Sequence, residues 1–254
     1  MKKGFVFLVC FCAVGARAAS DFLTSPFYAP GKDISATETS LAFSERKTVG
    51  RIADFKTRFQ TAAQRYLYGL SDKAAIDLNL QNSWTRQKGT FNEREDTNFA
   101  GHAGAVYSFY RRDALFQTQI LYRQRETHHA HGAYKAFYTK LQTGYDFGTV
   151  LPYLGGSIEI PVAQSKHADD KLLYSAYAGF YGVLKEALSL HTAFVFDYND
   201  NTVARQYRND SELSYLITPK IAFSAFGSYV FSDKEQNKTK VHERKLGIRF
   251  RAAF

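Results

Sequence analysis

Segments of about ten residues, in which apolar side chains alternate with polar or small ones, recur along most of this chain. The clearest segment runs from Ala75 to Trp84, where even positions are mostly apolar and odd positions are polar or small. A period of two places alternate side chains on opposite faces of an extended strand. The pattern therefore predicts β-strands that have one apolar and one polar face.

The connections between these segments alternate between short and long. The short ones lie at 69–73, 111–113, 148–150, 184–187 and 218–220, and the longer, more polar ones at 46–54, 87–98, 127–133, 163–170, 199–208 and 232–240. They separate twelve predicted strands near 37–45, 55–68, 74–86, 99–110, 114–126, 134–147, 151–162, 171–183, 188–198, 209–217, 221–231 and 241–254. Short turns on one side and longer loops on the other are typical of transmembrane β-barrels.

The chain's aromatic residues agree with such a barrel. Many lie near predicted strand ends, where rings with a polar rim favour the boundary between lipid and water. In hydrocarbon every backbone N–H and C=O needs a partner within the protein, so a sheet there must join its two edges. We predict an all-β fold, a closed antiparallel transmembrane barrel over 37–254. A soluble β-sandwich would explain the alternation, but not the regular order of short and long connections.

The N-terminus has the features of a secretory signal peptide. Lys2 and Lys3 precede an apolar run from Phe5 to Val14, and small residues follow at positions 16 and 18. We predict cleavage after Ala18, which leaves a short N-terminal extension at 19–36. Both cysteines of the chain, at positions 10 and 12, lie within the predicted signal peptide. The mature protein would then have neither disulfides nor thiolate ligands or nucleophiles.

Composition narrows the class of protein further. Aromatic residues make up 16% of the chain, charged residues 22%, and mean hydropathy is −0.34. This aromatic content does not fit a disordered chain. The formal charge is +9, and removal of Lys2, Lys3 and Arg17 with the signal peptide lowers it by three. Since no dense block of basic residues stands out, we predict no nucleic-acid partner.

The last predicted strand carries a more specific signal. Leu246, Ile248, Phe250, Ala252 and Phe254 share one face of the segment that ends the chain. This segment resembles the C-terminal β-signal of Gram-negative outer-membrane barrels, in which a terminal aromatic residue and alternating apolar residues are read by the barrel assembly machinery. The resemblance implies an outer-membrane location, lipid as surroundings, and Ile248, Phe250 and Phe254 as an assembly signal.

Size, strand count and the cysteine-free mature chain also make the protein similar to small monomeric twelve-stranded porins, such as the oligogalacturonate-specific type. This likeness implies a channel for passive diffusion of small polar solutes. The segment Gly144–Phe147, followed by Leu151–Tyr153, resembles turns of autotransporter translocator barrels as well. The short N-terminal extension favours the porin-like alternative.

If apolar positions face lipid, the opposite positions face the lumen. Charge on the lipid face is costly, about 2–4 kcal/mol for Arg or Lys at the midplane, which supports the inward assignment. The predicted lumen-lining residues are Lys56, Arg58, Arg123, Arg125, Lys140, Lys245, Arg249, Arg251, Asp77 and Glu159. They could line a water-filled passage for anionic or sugar-like solutes. They could also pair into a salt-bridge network that closes the barrel, leaving it a structural or surface-interaction role.

The sequence contains no recognisable catalytic motif. None of the seven histidines stands in a recognisable motif with a nucleophile and an acid. His128, His129 and His131 could bind a transition metal, but such a cluster in a loop is more often a solvated loop tip. We therefore predict no catalytic residue, no metal site and no cofactor.

Overall fold

The computed structural model describes residues 22–49, 54–89, 93–127, 132–163, 172–199, 204–234 and 240–254. The predicted signal peptide and the loop that carries His128, His129 and His131 lie outside these residues. Among the described residues, no helix is long and apolar enough to cross a membrane.

The chain forms twelve antiparallel strands in sequence order, and each pairs with the next. They are β1 (Ser35–Val49), β2 (Asp54–Gly69), β3 (Ala74–Gly89), β4 (Glu93–Arg111), β5 (Ala114–Thr127), β6 (Gly132–Tyr145), β7 (Val150–Ala163), β8 (Leu173–Lys185), β9 (Leu188–Asn199), β10 (Ala204–Thr218), β11 (Ile221–Lys234) and β12 (Lys240–Ala253). Because β1 also pairs with β12, the sheet closes on itself. The predicted closed antiparallel barrel of twelve strands is confirmed.

Closure joins the two ends of the chain. The register of β1 and β12 runs from Ala36 opposite Ala253 to Val49 opposite Lys240. At the rim, Ser35 and Phe254 exchange backbone hydrogen bonds of 3.2 and 2.8 Å. The last strand therefore satisfies what would otherwise be an open edge, as a sheet in hydrocarbon requires.

Several strands continue beyond their predicted ends on the loop side. The predicted loop at 87–98 is mostly strand, because Lys88 pairs with Glu93 and Arg86 with Glu95 across β3 and β4. The Nε atom of Arg86 also lies 2.5 Å from Glu93 Oε1. A membrane crossing needs only about 9–11 residues per strand, so β4, with 19 residues, extends past the hydrocarbon. Sequence alternation missed these polar extensions because both of their faces are polar.

The opposite rim consists of tight turns. Between β6 and β7, the N–H of Gly148 donates to Asp146 Oδ1 over 2.7 Å, and Phe147 N–H donates to Val150 O over 2.9 Å. Gly148 has a φ of +88°, a conformation that favours glycine. With their local hydrogen-bond partners, these turns need little chain to reverse its direction.

The outer face of the barrel is largely apolar. Residues with large apolar side chains exposed on it come from ten of the twelve strands, all but β2 and β8: Leu41, Phe43, Leu78, Leu80, Trp84, Phe99, Phe116, Ile120, Phe137, Leu141, Leu154, Ile160, Phe194, Leu213, Phe223, Leu246, Ile248 and Phe250. A surface patch of this extent marks contact with lipid or another apolar partner. Ile248, Phe250 and Phe254 of the predicted assembly signal are all exposed.

Candidate functional site

The candidate functional site is the lumen, which holds a cavity of about 770 Å³. Its lining combines the inward-facing residues of the strands with the N-terminal segment that precedes β1. Among the described lining residues, eight are basic and four are acidic: Arg46, Arg65, Arg123, Lys140, Arg208, Lys245, Arg249 and Arg251, against Glu38, Asp210, Glu212 and Glu243. The cavity is therefore polar, and basic residues dominate its charge.

The N-terminal segment, residues 22–33, enters the barrel at the end where the short turns lie. Thr24 Oγ1 is 2.6 Å from the hydroxyl of Tyr181 and 3.0 Å from Ser189 Oγ. From the other side of the segment, Gln117 donates to Phe27 O over 3.0 Å and Gln142 donates to Pro26 O over 2.9 Å. Because its partners belong to strands on different sides of the wall, the segment lies inside the barrel.

Apolar packing holds the same segment. Phe27 is 1% exposed and meets Tyr153 edge-on, with ring centroids 6.0 Å apart. It belongs to a buried cluster with Leu115 and Leu151, and Leu23 packs in a second cluster with Leu67 and Ala222. The segment therefore forms the floor of the cavity. The predicted extension at 19–36 carried no signal for this, since nothing in its short sequence indicates insertion.

Asp77 on β3 is the centre of one polar cluster, called the Asp77 cluster. Its carboxylate accepts two hydrogen bonds from Arg65, of 2.8 and 2.7 Å, and lies 3.2 Å from His102 Nε2. Gln119 also donates to it. Asp77 is fully buried, so these partners replace the water that a carboxylate needs.

A second polar cluster, called the Glu212 cluster, joins the first and last strands to β10. Arg251 bridges two carboxylates, with Nη1 2.6 Å from Glu212 Oε1 and Nε 2.9 Å from Glu38 Oε2. Arg249 pairs with Glu212 and Glu38 as well. Two arginines and two carboxylates thus neutralise one another across the seam where the barrel closes.

Further ion pairs lie higher in the lumen, around Arg123 and around Arg208. Arg123 Nη1 is 2.6 Å from Glu159 Oε2, and the hydroxyl of Tyr134 donates to the other oxygen of Glu159 over 2.5 Å. The Arg123 guanidinium also lies 3.4 Å from the ring centroid of Tyr138. Arg208 pairs with Asp197 and Asp210 over 3.2 and 3.0 Å.

Two lumenal lysines differ from these arginines. Lys140 and Lys245 have no carboxylate within ion-pair distance among the described residues. Lys140 Nζ lies 5.3 Å from the ring centroid of Tyr177, and Lys245 Nζ lies 5.7 Å from that of Phe226. Each therefore has an aromatic face beside it, while its charge lacks a bound counterion.

The structure places eight of the ten predicted lumen residues on the inner face of the wall. Cross-strand register puts Asp77, Arg123, Arg125, Lys140, Glu159, Lys245, Arg249 and Arg251 opposite the lipid-facing positions. Arg125 lies outside the cavity itself, 5.4 Å from the ring of Tyr134.

The prediction is wrong for Lys56 and Arg58. Both face outward from β2 and bind Glu45 on β1, with distances of 2.8 and 3.3 Å. Arg58 lies directly opposite Glu45, and Phe43, next along that face, is opposite Gln60. Both basic residues stand near the loop end of β2, where the ion pair with Glu45 is exposed. Their charges thus avoid the hydrocarbon without entering the lumen.

The orientation of β2 also turns toward the lumen a residue that the sequence pattern did not predict to lie there. Arg65 faces inward, as does Leu67, which packs against the N-terminal segment. Apolar residues at the odd positions of β2 suggested a lipid-facing side, although inside this barrel they contact other protein. The pairing of Arg65 with Asp77 is visible only once the strand register is known.

The described residues contain no group of three His, Cys, Asp or Glu side chains arranged to hold a metal ion. His191 forms a hydrogen bond with the hydroxyl of Tyr153 and stacks on its ring at 5.7 Å. Its neighbours thus position it as part of the lumen wall.

Comparison with known proteins places this architecture. No family model matches the chain, and no curated protein sequence does either. Among solved structures, the COG4313 outer membrane channel from Pseudomonas putida F1 has a TM-score of 0.65 at 9% identity, covering 90% of this chain and 98% of that one. The translocator domain of the autotransporter NalP from Neisseria meningitidis has a TM-score of 0.58 at 12% identity, covering 87% of this chain and 89% of that one.

The KdgM porin in complex with disordered oligogalacturonate has a TM-score of 0.50 at 8% identity, covering 83% of this chain and 98% of that chain. At such identities the likeness establishes the fold. The chain is thus a β-barrel of the outer-membrane type, related in architecture to small twelve-stranded barrels. With its closed sheet and apolar outer face, it belongs in the bacterial outer membrane.

Proposed function

We propose that this protein is an outer-membrane channel for passive diffusion of small polar solutes, with a preference for anionic or sugar-like ones. The observation that carries this proposal is the polar cavity of about 770 Å³ inside the closed wall, with basic residues in excess on its lining. Charge of one sign on a narrow passage raises the local concentration of oppositely charged solutes. An outer-membrane channel and a porin that share the fold add support.

A second candidate function rests on a different observation. The N-terminal segment occupies the end of the lumen near the short turns, and ion pairs such as that of Arg251 with Glu212 lie along the wall above it. A barrel closed in this way would serve a structural or surface-interaction role, with its loops as the contact region. Neither alternative requires catalysis, and we propose no enzymatic activity.

Conductance of the refolded protein in planar lipid bilayers separates the two candidates. The channel proposal expects discrete current steps, and a salt gradient should give a reversal potential that indicates anion preference. A heat-denatured sample of the same preparation is the control. Absence of current steps at both polarities would overturn the channel and favour the closed barrel.

We also propose that residues 1–18 are a cleaved signal peptide of a Gram-negative bacterium. In addition, Ile248, Phe250 and Phe254 would direct the exported chain to the barrel assembly machinery. The outward exposure of these three side chains supports this role, since an assembly factor could reach them. N-terminal sequencing of the protein from outer membranes tests the first proposal, and any mature N-terminus other than one near residue 19 would contradict it.

A further inference from the structure

Lys140 has no carboxylate partner, because the carboxylates near it already bind other residues. Arg65, Arg123 and Asp77 interact electrostatically with it. Asp77 is bound by both arms of Arg65, together with His102 and Gln119. Glu159, the partner of Arg123, also accepts from Tyr134. The local surroundings of Lys140 thus supply two arginine–carboxylate pairs and no carboxylate that remains available.

An ammonium group in such a pocket attracts an anion from solution. A charge removed from bulk water without a paired counterion is unfavourable, and the penalty decreases when an anion binds beside it. Arg65 and Arg123 are each neutralised by a carboxylate, so Lys140 carries the net positive charge of this part of the lumen, where confinement weakens solvent screening. A mobile anionic solute would supply the counterion that Lys140 lacks.

Chemistry around Lys140 indicates which solute fits. Tyr177 offers a ring face 5.3 Å from Nζ, and Tyr153 stands beside it with ring centroids 6.2 Å apart. Ser157 is directly opposite Lys140 on β7 and lines the same cavity, so its hydroxyl is a hydrogen-bonding group on the same wall. A cation, a hydroxyl and the ring of Tyr177 together complement a carboxylate attached to a planar apolar group.

The position of Lys140 along its strand places this group above the cavity floor. Gln142, two residues closer to the short turn of β6, donates to the carbonyl of Pro26 in the N-terminal segment. Lys140 is the next inward-facing residue toward the loops. A solute there would rest above the segment, within a cavity whose volume lies in the usual range for small-molecule sites, about 300–1,000 Å³.

We propose that Lys140, with Tyr177 and Ser157, forms a binding site for a small organic carboxylate that carries a planar ring. The inference builds on the proposed channel function, because it names the class of solute that the lumen would hold. Arg123 and Arg65 are not part of the site, since each is already engaged by a carboxylate.

Calorimetric titration of the detergent-folded protein tests the site without requiring any current. The probe is benzoate, and acetate (no ring) and benzyl alcohol (no charge) are the comparison compounds. Wild type should bind benzoate more tightly than either. Lys140→Met should raise the Kd for benzoate about tenfold or more, as expected for loss of a charge-assisted hydrogen bond.

Lys135→Met is the matched control, because Lys135 lies on the same strand but pairs opposite the outward-facing Gln124. Its Kd for benzoate should equal that of wild type. Lys140→Arg, which keeps the charge, should retain binding, and it replaces Lys140→Met as the informative variant if that protein does not fold. In that case, loss of benzoate binding by a Lys140→Arg protein that folds would overturn the site.

Three outcomes overturn the proposal: no benzoate binding to wild type, an unchanged Kd in folded Lys140→Met, or equal binding of benzyl alcohol. Equal binding of acetate would overturn the ring preference. These failures are distinct from that of the channel proposal. A protein that conducts but shows no Lys140-dependent binding contradicts only the site, whereas one that binds benzoate but never conducts contradicts the channel.

Discussion

Thr24 and Ser189 are 165 positions apart in the chain, yet their hydroxyl oxygens lie 3.0 Å apart inside the barrel. Thr24 precedes β1, and Ser189 is the second residue of β9, on another part of the wall. This contact attaches the N-terminal segment across the end of the lumen near the short turns. The short distance between Thr24 and Ser189 makes them candidates for an engineered disulfide. The native cysteines, at positions 10 and 12, both lie within the predicted signal peptide.

Thr24→Cys combined with Ser189→Cys should make conductance depend on redox state. Under oxidising conditions the disulfide would hold the segment in the lumen and lower the current, and a reductant should restore wild-type conductance. The measurement is planar-bilayer recording before and after reduction, with each single-cysteine variant treated identically as a control. Equal currents in the oxidised and reduced protein would show that the segment does not move when solutes pass.

Asp77→Ala should strongly destabilise the barrel. The substitution leaves Arg65 and His102 without the carboxylate that they share, and loss of one partner of a buried ion pair costs about 3–5 kcal/mol. Urea unfolding of the folded protein in detergent measures the change in free energy. Glu45→Gln, which removes an exposed carboxylate from its pair with Lys56, is the control and should change stability little. A similar, small effect of both variants would contradict the role given to the Asp77 cluster.

Glu159→Gln should shift the channel toward anions. Arg123 would lose its ion-pair partner, so the lumen would gain one net positive charge beside Tyr138. Reversal potentials in a salt gradient should move in the direction of greater anion selectivity. Glu126→Gln, on the outward-facing side of β5, is the control. An unchanged reversal potential in Glu159→Gln would argue against Arg123 as a residue that affects passing ions.

Ile120→Arg should destabilise the folded barrel in a membrane. Ile120 is 56% exposed, faces outward and stands at the middle of β5. A guanidinium near the bilayer midplane costs about 2–4 kcal/mol on the lipid face. Unfolding in lipid vesicles measures this cost, and Ile120→Leu should leave stability close to wild type. An arginine tolerated without cost would mean that this position lies outside the hydrocarbon.

Phe254→Ala should reduce assembly more than stability. Its side chain is 69% exposed, so truncation removes little packing inside the protein. The backbone hydrogen bonds between Phe254 and Ser35 do not need the ring. We expect less protein in the outer membrane of cells and nearly unchanged urea unfolding of protein refolded in detergent. Normal amounts in the membrane would contradict the assembly-signal role of Phe254.

Much of the barrel follows from local pattern. Alternation of apolar and polar residues indicates strands wherever one face meets lipid, as in the segment from Ala75 to Trp84, where Leu78, Leu80 and Trp84 are exposed on the outer face. The same alternation predicts an inward position for Lys140 and Glu159, and Lys140 lines the cavity. Here lipid on one side and a polar lumen on the other impose opposite preferences, so a short window of sequence contains the needed information.

In β2 the same rule failed, for a reason that local sequence does not contain. Leu67 packs on the N-terminal segment, and Phe59 lies 5.7 Å from the guanidinium of Arg46. Apolar side chains therefore occupy the inner face, and Lys56 and Arg58 occupy the outer face near the loops. Which face of such a strand turns inward is decided by its register with β1 and β3.

By itself the sequence determined the strand count, the closure of the sheet, the apolar outer face and the candidate export and assembly signals, because each depends on repeating or terminal local patterns. Only the tertiary structure decided that Thr24 and Phe27 lie in the lumen, that Arg65 meets Asp77, and that Lys140 lacks a counterion. These features join residues that are distant in the chain, and such contacts depend on strand register and on what fills the barrel.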